Sequence, residues 1–295
     1  MIMIEKQKTE NPTGEKQRVA MLSVIAAVFL TSFKFVVGIL TGSLGILSEA
    51  LHSALDLVAA VITWFSVTIS DKPADRRHPF GHGKVENFSA LAETILLVIT
   101  CAWIVYEAIS RLVTGEHQIE VTIWSYIVVI SSIVIDIGRS RSLSKAAQKH
   151  NSQALEADAL HFKTDIWSSS VVLLGLICAQ FGYHAADPIA ALGVALIVLS
   201  VSYRLGKRAM DVLLDSADDQ ALAEVESVLR AIEGVKTWHD LRIRLSGADT
   251  FVDVTVHLHP DLTLRQAHHV TDAIEARLGQ QINRCHVHVH AEPDE

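Results

Sequence analysis

Residues 19–40 read VAMLSVIAAVFLTSFKFVVGIL, an apolar run with one charged residue, Lys34. About 20 helical residues are enough to cross the roughly 30 Å hydrocarbon core of a bilayer. The chain is 50% hydrophobic yet 20% charged, because apolar and polar residues are segregated along it. Similar apolar runs follow the first one. We therefore predict six membrane-spanning helices, at about residues 19–40, 46–69, 85–112, 119–137, 154–181 and 188–208.

Lysine and arginine are confined to alternate connections between these spans. The basic residues lie before span 1, between spans 2 and 3, between spans 4 and 5, and at the end of span 6. Residues 41–45, 113–120 and 182–187 contain none. Since basic loops stay on the cytoplasmic side of a membrane, we expect both termini in the cytosol. Residues 1–18 lack the apolar core of a cleavable signal and are predicted to be a cytosolic tail.

The sequence changes character after the last span. Acidic residues outnumber basic ones about two to one from residue 211 onward, and histidine is frequent there. Such a domain disfavours nucleic acid and favours cations. A helix beginning near Ser216 is predicted, then strands at 239–246 and 251–259, a helix at 263–278 and a strand at 283–290.

These patterns predict an α-helical membrane protein with a C-terminal cytosolic α+β domain of ferredoxin-like αββαβ order. The expected divisions are a cytosolic tail at 1–18, a six-helix membrane domain at 19–211 and a cytosolic domain at 212–295.

Two His-x-x-x-Asp pairs lie inside predicted spans, His52 with Asp56 and His161 with Asp165. Residues four apart share one helix face, and the two spans run in opposite directions, so both pairs approach the bilayer midplane. Four such side chains could close a tetrahedral shell of two nitrogens and two oxygens around an ion. A single pair of this kind is more often a helix-stabilising contact, but ionisable residues at bilayer depth are costly and usually functional.

The ligand types restrict the metal. Imidazole with carboxylate suits Zn²⁺, Fe²⁺, Co²⁺, Ni²⁺ and, less specifically, Cd²⁺, whereas carboxylates alone suit Mg²⁺, Ca²⁺ and Mn²⁺. We therefore predict that the site binds Zn²⁺, with the other four imidazole-binding metals as the next candidates. Glu93 and Glu107 in span 3 either line an access path for the ion or are paired structurally, and the sequence leaves both readings open.

Three motifs carry a resemblance to a known family. They are residues 42–48 leading into His52 and Asp56, the loop HPFGHGK at 78–84, and ADALH at 157–161 continuing to Asp165. With them the chain resembles the cation diffusion facilitators over nearly its whole length. The resemblance implies a homodimeric exporter in the lipid membrane that exchanges a metal ion for protons by alternating access, with a zinc-binding cytosolic domain.

The resemblance also implies a second site, at Asp75, His78 and His82 in the loop between spans 2 and 3. The alternative is an ordinary polar loop, since Arg76 and Arg77 would repel a cation.

In the soluble domain the chain matches the family's metal site at four positions and departs from it at Thr255, where a histidine is expected. Three nearby histidines are candidate substitutes for that ligand, or the domain binds one ion rather than two. The matching positions are His239, His268, His290 and Glu292, and the substitutes are His257, His259 and His288. Lys84 and Asp215 match a pair that couples the two domains, although a plain surface ion pair is an equally good interpretation.

These observations predict a proton-coupled antiporter that exports Zn²⁺ from the cytosol, in a bacterial inner membrane, and not an enzyme. A zinc hydrolase needs an open coordination position and typically His-Glu-x-x-His, a pattern that this sequence lacks. A membrane metal sensor or scaffold that binds zinc without moving it remains the alternative.

Overall fold

In a computed structural model of the protein, the described residues are 12–42, 44–114, 123–180, 186–217, 219–282 and 284–294. Parts of predicted spans 4 and 5, at 119–122 and at 181, lie outside them, as does most of the predicted N-terminal tail.

The membrane part consists of long helices separated by short connections. Helices α1 to α6 of the described chain are Pro12–Thr41, Leu44–Ser70, Val85–Thr114, Ile123–His150, Gln153–Gln180 and Ala186–Leu213. Each predicted span thus corresponds to one helix, and the predicted helical architecture is confirmed.

Helix α4 is longer than its predicted span. The basic residues after position 137 were predicted to separate spans 4 and 5, and they do so as a helical extension of α4 that continues to His150. Leu143, Ala146 and Ala147 on this extension are buried in one cluster with Leu155 and Phe162 of α5. Packing against α5 therefore keeps the polar segment helical beyond the apolar run.

Among the described residues, five helices are long and apolar enough to cross a membrane, namely α1, α2, α3, α4 and α6. Helix α5 has a similar length but carries Glu156, Asp158, Lys163 and Asp165 in its first half. It packs against α2, α3, α4 and α6. These neighbours bury Asp158 and most of Asp165, whereas Lys163 remains exposed. Ionisable residues inside membrane bundles usually face the bundle interior in this way.

The outer surface of the bundle is apolar and its interior is built on small residues. Phe29, Trp103 and Leu196 are exposed, whereas Ala59 and Ala90 are buried between helices. Small residues let membrane helices approach closely, and large apolar ones face the lipid tails. The protein is therefore a multi-pass membrane protein.

The C-terminal part has the predicted αββαβ order. Its described elements are α7 (Asp219–Ala231), β1 (Thr237–Ser246), β2 (Asp249–Leu258), α8 (Leu264–Gln281) and β3 (Cys285–Pro293). The sheet order is β1-β2-β3, with β1 and β2 antiparallel and β2 and β3 parallel. Helix α8 supplies the crossover that parallel strands require.

One face of the sheet forms the core of this part. Val252, Val254 and Val256 alternate along β2 and are buried against Val225 of α7 and Ile274 of α8. Alternation therefore turns the intervening residues of β2 and the histidines of β3 toward the opposite, more exposed face.

The loop at 71–84 touches the turn between β1 and β2. A Cβ atom on Gly83 would lie 2.3 Å from the carbonyl oxygen of Ser246, so only glycine permits this approach. The guanidinium of Arg244 lies 3.7 Å from the ring centre of Phe80. The Lys84 ammonium also donates a 2.6 Å hydrogen bond to Asp215. The loop therefore contacts the soluble domain at the β1–β2 turn, and it also contacts Asp215.

Candidate metal-binding site

The His-x-x-x-Asp pairs of α2 and α5 meet between the two helices. His161 Nε2 lies 3.1 Å from Asp56 Oδ1 and 3.5 Å from Asp165 Oδ2. His52 Nε2 lies 3.9 Å from Asp56 Oδ1 and 3.8 Å from Asp165 Oδ1. Each imidazole thus contacts the carboxylates of both helices, and the structure brings the four predicted side chains together.

The cluster lies the same number of residues into both helices. His52 lies eight residues after the start of α2 and His161 eight after the start of α5, about 12 Å along each axis. Asp56 lies beside His161 and His52 lies beside Asp165, so the two helices run in opposite directions past the cluster.

The cluster is enclosed and polar. His161 is 3% exposed and Asp56 is 7% exposed, while His52 remains partly open. The Nδ1 atom of His161 has no hydrogen-bond partner among the described residues. Ligand atoms of His52, Asp56 and Asp165 lie within 4.8 Å of one another. His161 is not in this group of three, but its Nε2 contacts both carboxylates. Two imidazoles and two carboxylates arranged in this way can supply ligands to one small dication.

A set of buried polar residues surrounds the cluster, and sequence analysis did not assign it. Arg139 was expected in a basic connection, but its guanidinium is buried 3.4 Å from the ring centre of Phe162. It also donates to Asp136 at 3.3 Å and to the Ser23 hydroxyl at 3.1 Å. Asp158 precedes His161 by one turn of α5, a spacing that could have identified it as a neighbour of the site.

The loop triad is also brought together. Asp75 Oδ1 accepts hydrogen bonds from the backbone N–H groups of His78 at 2.7 Å and Arg77 at 2.8 Å, and these bonds hold the pKa of the Asp75 carboxyl below its ordinary value. His78 Nδ1 lies 3.2 Å and His82 Nε2 3.7 Å from this carboxylate. Arg76 and Arg77 have exposed side chains. An exposed, ionised carboxylate flanked by two imidazoles can hold a dication at the loop.

In the soluble domain the structure gathers some of the predicted residues. His257 Nε2 lies 3.0 Å from His239 Nδ1, and Glu292 completes a group whose ligand atoms lie within 4.8 Å of one another. His290 is adjacent, with Nε2 3.4 Å from Glu292 Oε1. Thr255 pairs with His239 on one side and His290 on the other. His257 thus stands beside the position where the expected histidine is missing.

The remaining predicted histidines contact carboxylates of other residues. His268 lies 3.7 Å from Asp272 on α8, His259 lies 3.6 Å from Asp261, and His288 lies 3.9 Å from Asp253. Within one chain the group described above does not include them.

Comparison with known proteins agrees with this architecture. The family model described as the cation efflux transmembrane domain matches residues 20–214. The model described as the cytoplasmic domain of cation efflux proteins matches residues 217–294.

Relatives match over almost the whole chain. The cation-efflux pump FieF of Cronobacter sakazakii is 30% identical over 278 residues, covering 94% of this chain and 92% of the relative. The magnetosome protein MamB of a Magnetospira strain is 29% identical over 265 residues, covering 89% and 90%. Among solved structures, a nickel form of the MamM C-terminal domain is 26% identical and covers 26% of this chain and all of that one, with a TM-score of 0.26.

Proposed function

We propose that this chain, which belongs to the cation efflux family (the cation diffusion facilitators), exports Zn²⁺ from the cytosol in exchange for protons. Members of this family are divalent-metal efflux transporters. The observation that supports the proposal most strongly is the meeting of His52, Asp56, His161 and Asp165 between α2 and α5.

Zn²⁺ is the substrate that this donor set favours. Two imidazoles and two carboxylates match the tetrahedral nitrogen and oxygen shells that zinc accepts. Fe²⁺, Co²⁺, Ni²⁺ and Cd²⁺ accept similar ligands and are the competing substrates.

Protons are the proposed counter-ion because every ligand in the site is also a proton acceptor. A metal ion binds only when its imidazole and carboxylate ligands are deprotonated, so protons and metal compete for the same atoms. Imidazole has an unperturbed pKa of about 6.5 and exchanges protons in the physiological range. Proton uptake from the outer side then releases the ion, and deprotonation on the cytosolic side prepares the site again.

The arrangement in the membrane supports export rather than import. We place both termini and the soluble domain in the cytosol, on the charge asymmetry of the connections. The loop group and the sheet group, with His239, His257 and Glu292, then face the compartment from which zinc is removed. We propose that they bind zinc in a regulatory role and that the soluble domain mediates a homodimer.

The decisive test is zinc flux in liposomes that contain the purified protein and a pH gradient. We expect zinc uptake that is accelerated by the gradient and accompanied by counterflow of protons, with Fe²⁺, Co²⁺, Ni²⁺ and Cd²⁺ competing less effectively than unlabelled Zn²⁺. Protein-free liposomes are the control. Zinc binding without flux would contradict the proposal and favour a membrane sensor or scaffold.

A further inference from the structure

Two carboxyl groups next to the transport site are fully buried and are not among its four ligands. Glu93 of α3 and Asp158 of α5 are both 0% exposed. One oxygen of each, Glu93 Oε2 and Asp158 Oδ1, has no hydrogen-bond partner among the described residues. Buried polar atoms are nearly always partnered, so two unpartnered oxygens in one region point to a missing ligand.

The packing of α3 on α5 brings these two groups to the same level. The Asn87 amide of α3 donates a 2.7 Å hydrogen bond to Gln153 of α5, and one turn further Ala90 and Ala157 share a buried cluster. The helices therefore run in the same direction and in register. Glu93 lies one turn beyond Ala90, where it interacts electrostatically with both Asp158 and His161.

The partners of the two carboxyl groups are mostly neutral hydroxyls. The Thr63 hydroxyl of α2 donates to Glu93, and the Ser23 hydroxyl of α1 donates to Asp158 at 3.4 Å. Neither hydroxyl contributes positive charge. The unpartnered oxygens therefore face an environment that stabilises a carboxylate weakly.

Positive charge near the pair is scarce. The Arg139 guanidinium interacts electrostatically with Asp158 and also forms an ion pair with Asp136. Asp165 adds another negative charge nearby. Among the described residues, the charged and titratable groups that interact with the pair are therefore Arg139, His161 and Asp165. An ionised carboxylate without a compensating partner is expensive to bury, and two ionised carboxylates close together are more so.

We propose that Glu93 and Asp158 together hold one proton when the transport site is empty, and that a dication arriving at His161 displaces this proton to the cytosol. One O–H bond breaks: the proton passes to water on the cytosolic side, and the carboxyl oxygen keeps the bonding electron pair. After the metal leaves on the outer side, a proton from that side restores the pair.

A proton fits the pair better than a second metal ion does. The two carboxyl groups themselves offer only oxygen ligands, and Arg139, which interacts with Asp158, repels a dication. This inference deepens the proposed proton exchange and rests on it, since it adds a proton site separate from the metal ligands.

Infrared difference spectroscopy of the full-length protein in lipid nanodiscs tests the proton directly. On addition of zinc at neutral pH, the wild type should lose a carboxylic-acid C=O band. The band should be absent from Glu93→Gln, because the remaining Asp158 carboxylate keeps the Ser23 hydroxyl and Arg139. Glu107→Gln, a substitution on the same helix, is the matched control and should keep the band. An unchanged band in Glu93→Gln would overturn the inference.

A second measurement counts protons released as zinc binds in weakly buffered solution. Glu93→Gln should still bind zinc but release fewer protons per ion than the wild type and Glu107→Gln. If Glu93→Gln fails to fold, Asp158→Asn provides the same comparison. Equal release in the variant and the wild type would overturn the proton pair and leave the exchange mechanism standing. Absence of any proton release from the wild type would instead contradict the proposed function itself.

Discussion

We propose that ligand chemistry at single residues sets the choice of metal. The imidazoles of His52 and His161 distinguish the site from an all-carboxylate one, and each lies within 3.9 Å of a carboxylate from both helices. Nitrogen ligands favour Zn²⁺, whereas oxygen ligands favour Mn²⁺ and Mg²⁺.

His52→Asp should therefore shift selectivity from Zn²⁺ toward Mn²⁺. His52 is the more exposed of the two histidines, so the bundle can accommodate the shorter side chain. Competition of Mn²⁺ with labelled Zn²⁺ in liposomes measures the shift. His150→Gln, which removes an imidazole outside the site, is the control and should leave selectivity unchanged. Equal Mn²⁺ competition in His52→Asp and the wild type would contradict the assignment.

Gly83 is a second position where one residue decides a contact. Gly83→Ala would place a Cβ atom 2.3 Å from the Ser246 carbonyl oxygen, so the loop must move away from the sheet. Overpacking of this kind costs about 1–3 kcal/mol. Hydrogen exchange should therefore become faster at the β1–β2 turn and in the loop. Gly279→Ala, with no atom within 4 Å of the new Cβ, should leave exchange at both places unchanged. Unchanged exchange in Gly83→Ala would show that the contact is loose.

Spacing along the chain predicts which site residues lie close together when both belong to one helix. His52 and Asp56 share a face of α2 whatever the rest of the fold does, and the same holds for His161 and Asp165. The neighbourhood of Glu93 and Asp158 depends on how α3 packs on α5, and spacing along the chain carries no information about that. Arg139 was misplaced for a similar reason, because its contact with Phe162 forms only when α4 and α5 pack together.

At the scale of elements, the sheet of the soluble domain is held by a small core on one face, to which both α7 and α8 contribute. Ile274 of α8 is fully buried against β2, and Val225 of α7 packs in the same cluster. The histidines that line the opposite face depend on the strands keeping their register.

Ile274→Ala should loosen this sheet. Removing a buried Ile side chain costs about 2–5 kcal/mol, and amides of β2 should lose hydrogen-exchange protection by a similar amount in the full-length protein. Glu275→Ala, the next residue on the exposed side of α8, is the matched control and should change protection by about 0.5 kcal/mol or less. Full protection in Ile274→Ala would contradict the packing of α8 against β2.

Element order was predictable here and some boundaries were not. Alternation of Val252, Val254 and Val256 identified β2 because one face is buried and the other is polar. The end of α4 was missed because hydropathy marks where an apolar run ends, whereas the helix continues while it can pack.

At the scale of the whole molecule, the loop after α2 and the soluble domain form a continuous path. It runs from the loop triad through Gly83 and Lys84 to Asp215 and the β1–β2 turn. Both residues of the Lys84–Asp215 pair are partly exposed, and surface pairs of this kind contribute only about 0.2–1 kcal/mol to stability. A role in coupling would therefore appear in transport rather than in stability.

A double-mutant cycle separates these roles. We expect Lys84→Gln and Asp215→Asn each to reduce zinc flux severalfold, and the double variant to be no slower than either single one, because the contact is lost once. Asn also tolerates the positive φ of residue 215. Wild-type flux in all three variants would identify an ordinary surface ion pair, and additive losses would show that the two residues act independently.

The histidine group of the soluble domain differs from the one that the resemblance implies. His268 was placed with the soluble site by resemblance, yet in one chain it contacts Asp272. Thr255 explains part of the difference, since it supplies no imidazole between His239 and His290. His257 was predictable only as one of three substitutes, because the choice among them depends on the pairing of β2 with β1 and β3.

Zinc flux in liposomes with single substitutions at the four ligands tests the central claim most directly. His161→Ala, Asp165→Asn, Asp56→Asn and His52→Ala should each abolish or strongly reduce pH-driven zinc uptake, because each removes one of four ligands from one site. His150→Gln should transport like the wild type. Wild-type flux in His52→Ala and Asp165→Asn would contradict the account, since the ion would then cross the membrane without the site between α2 and α5.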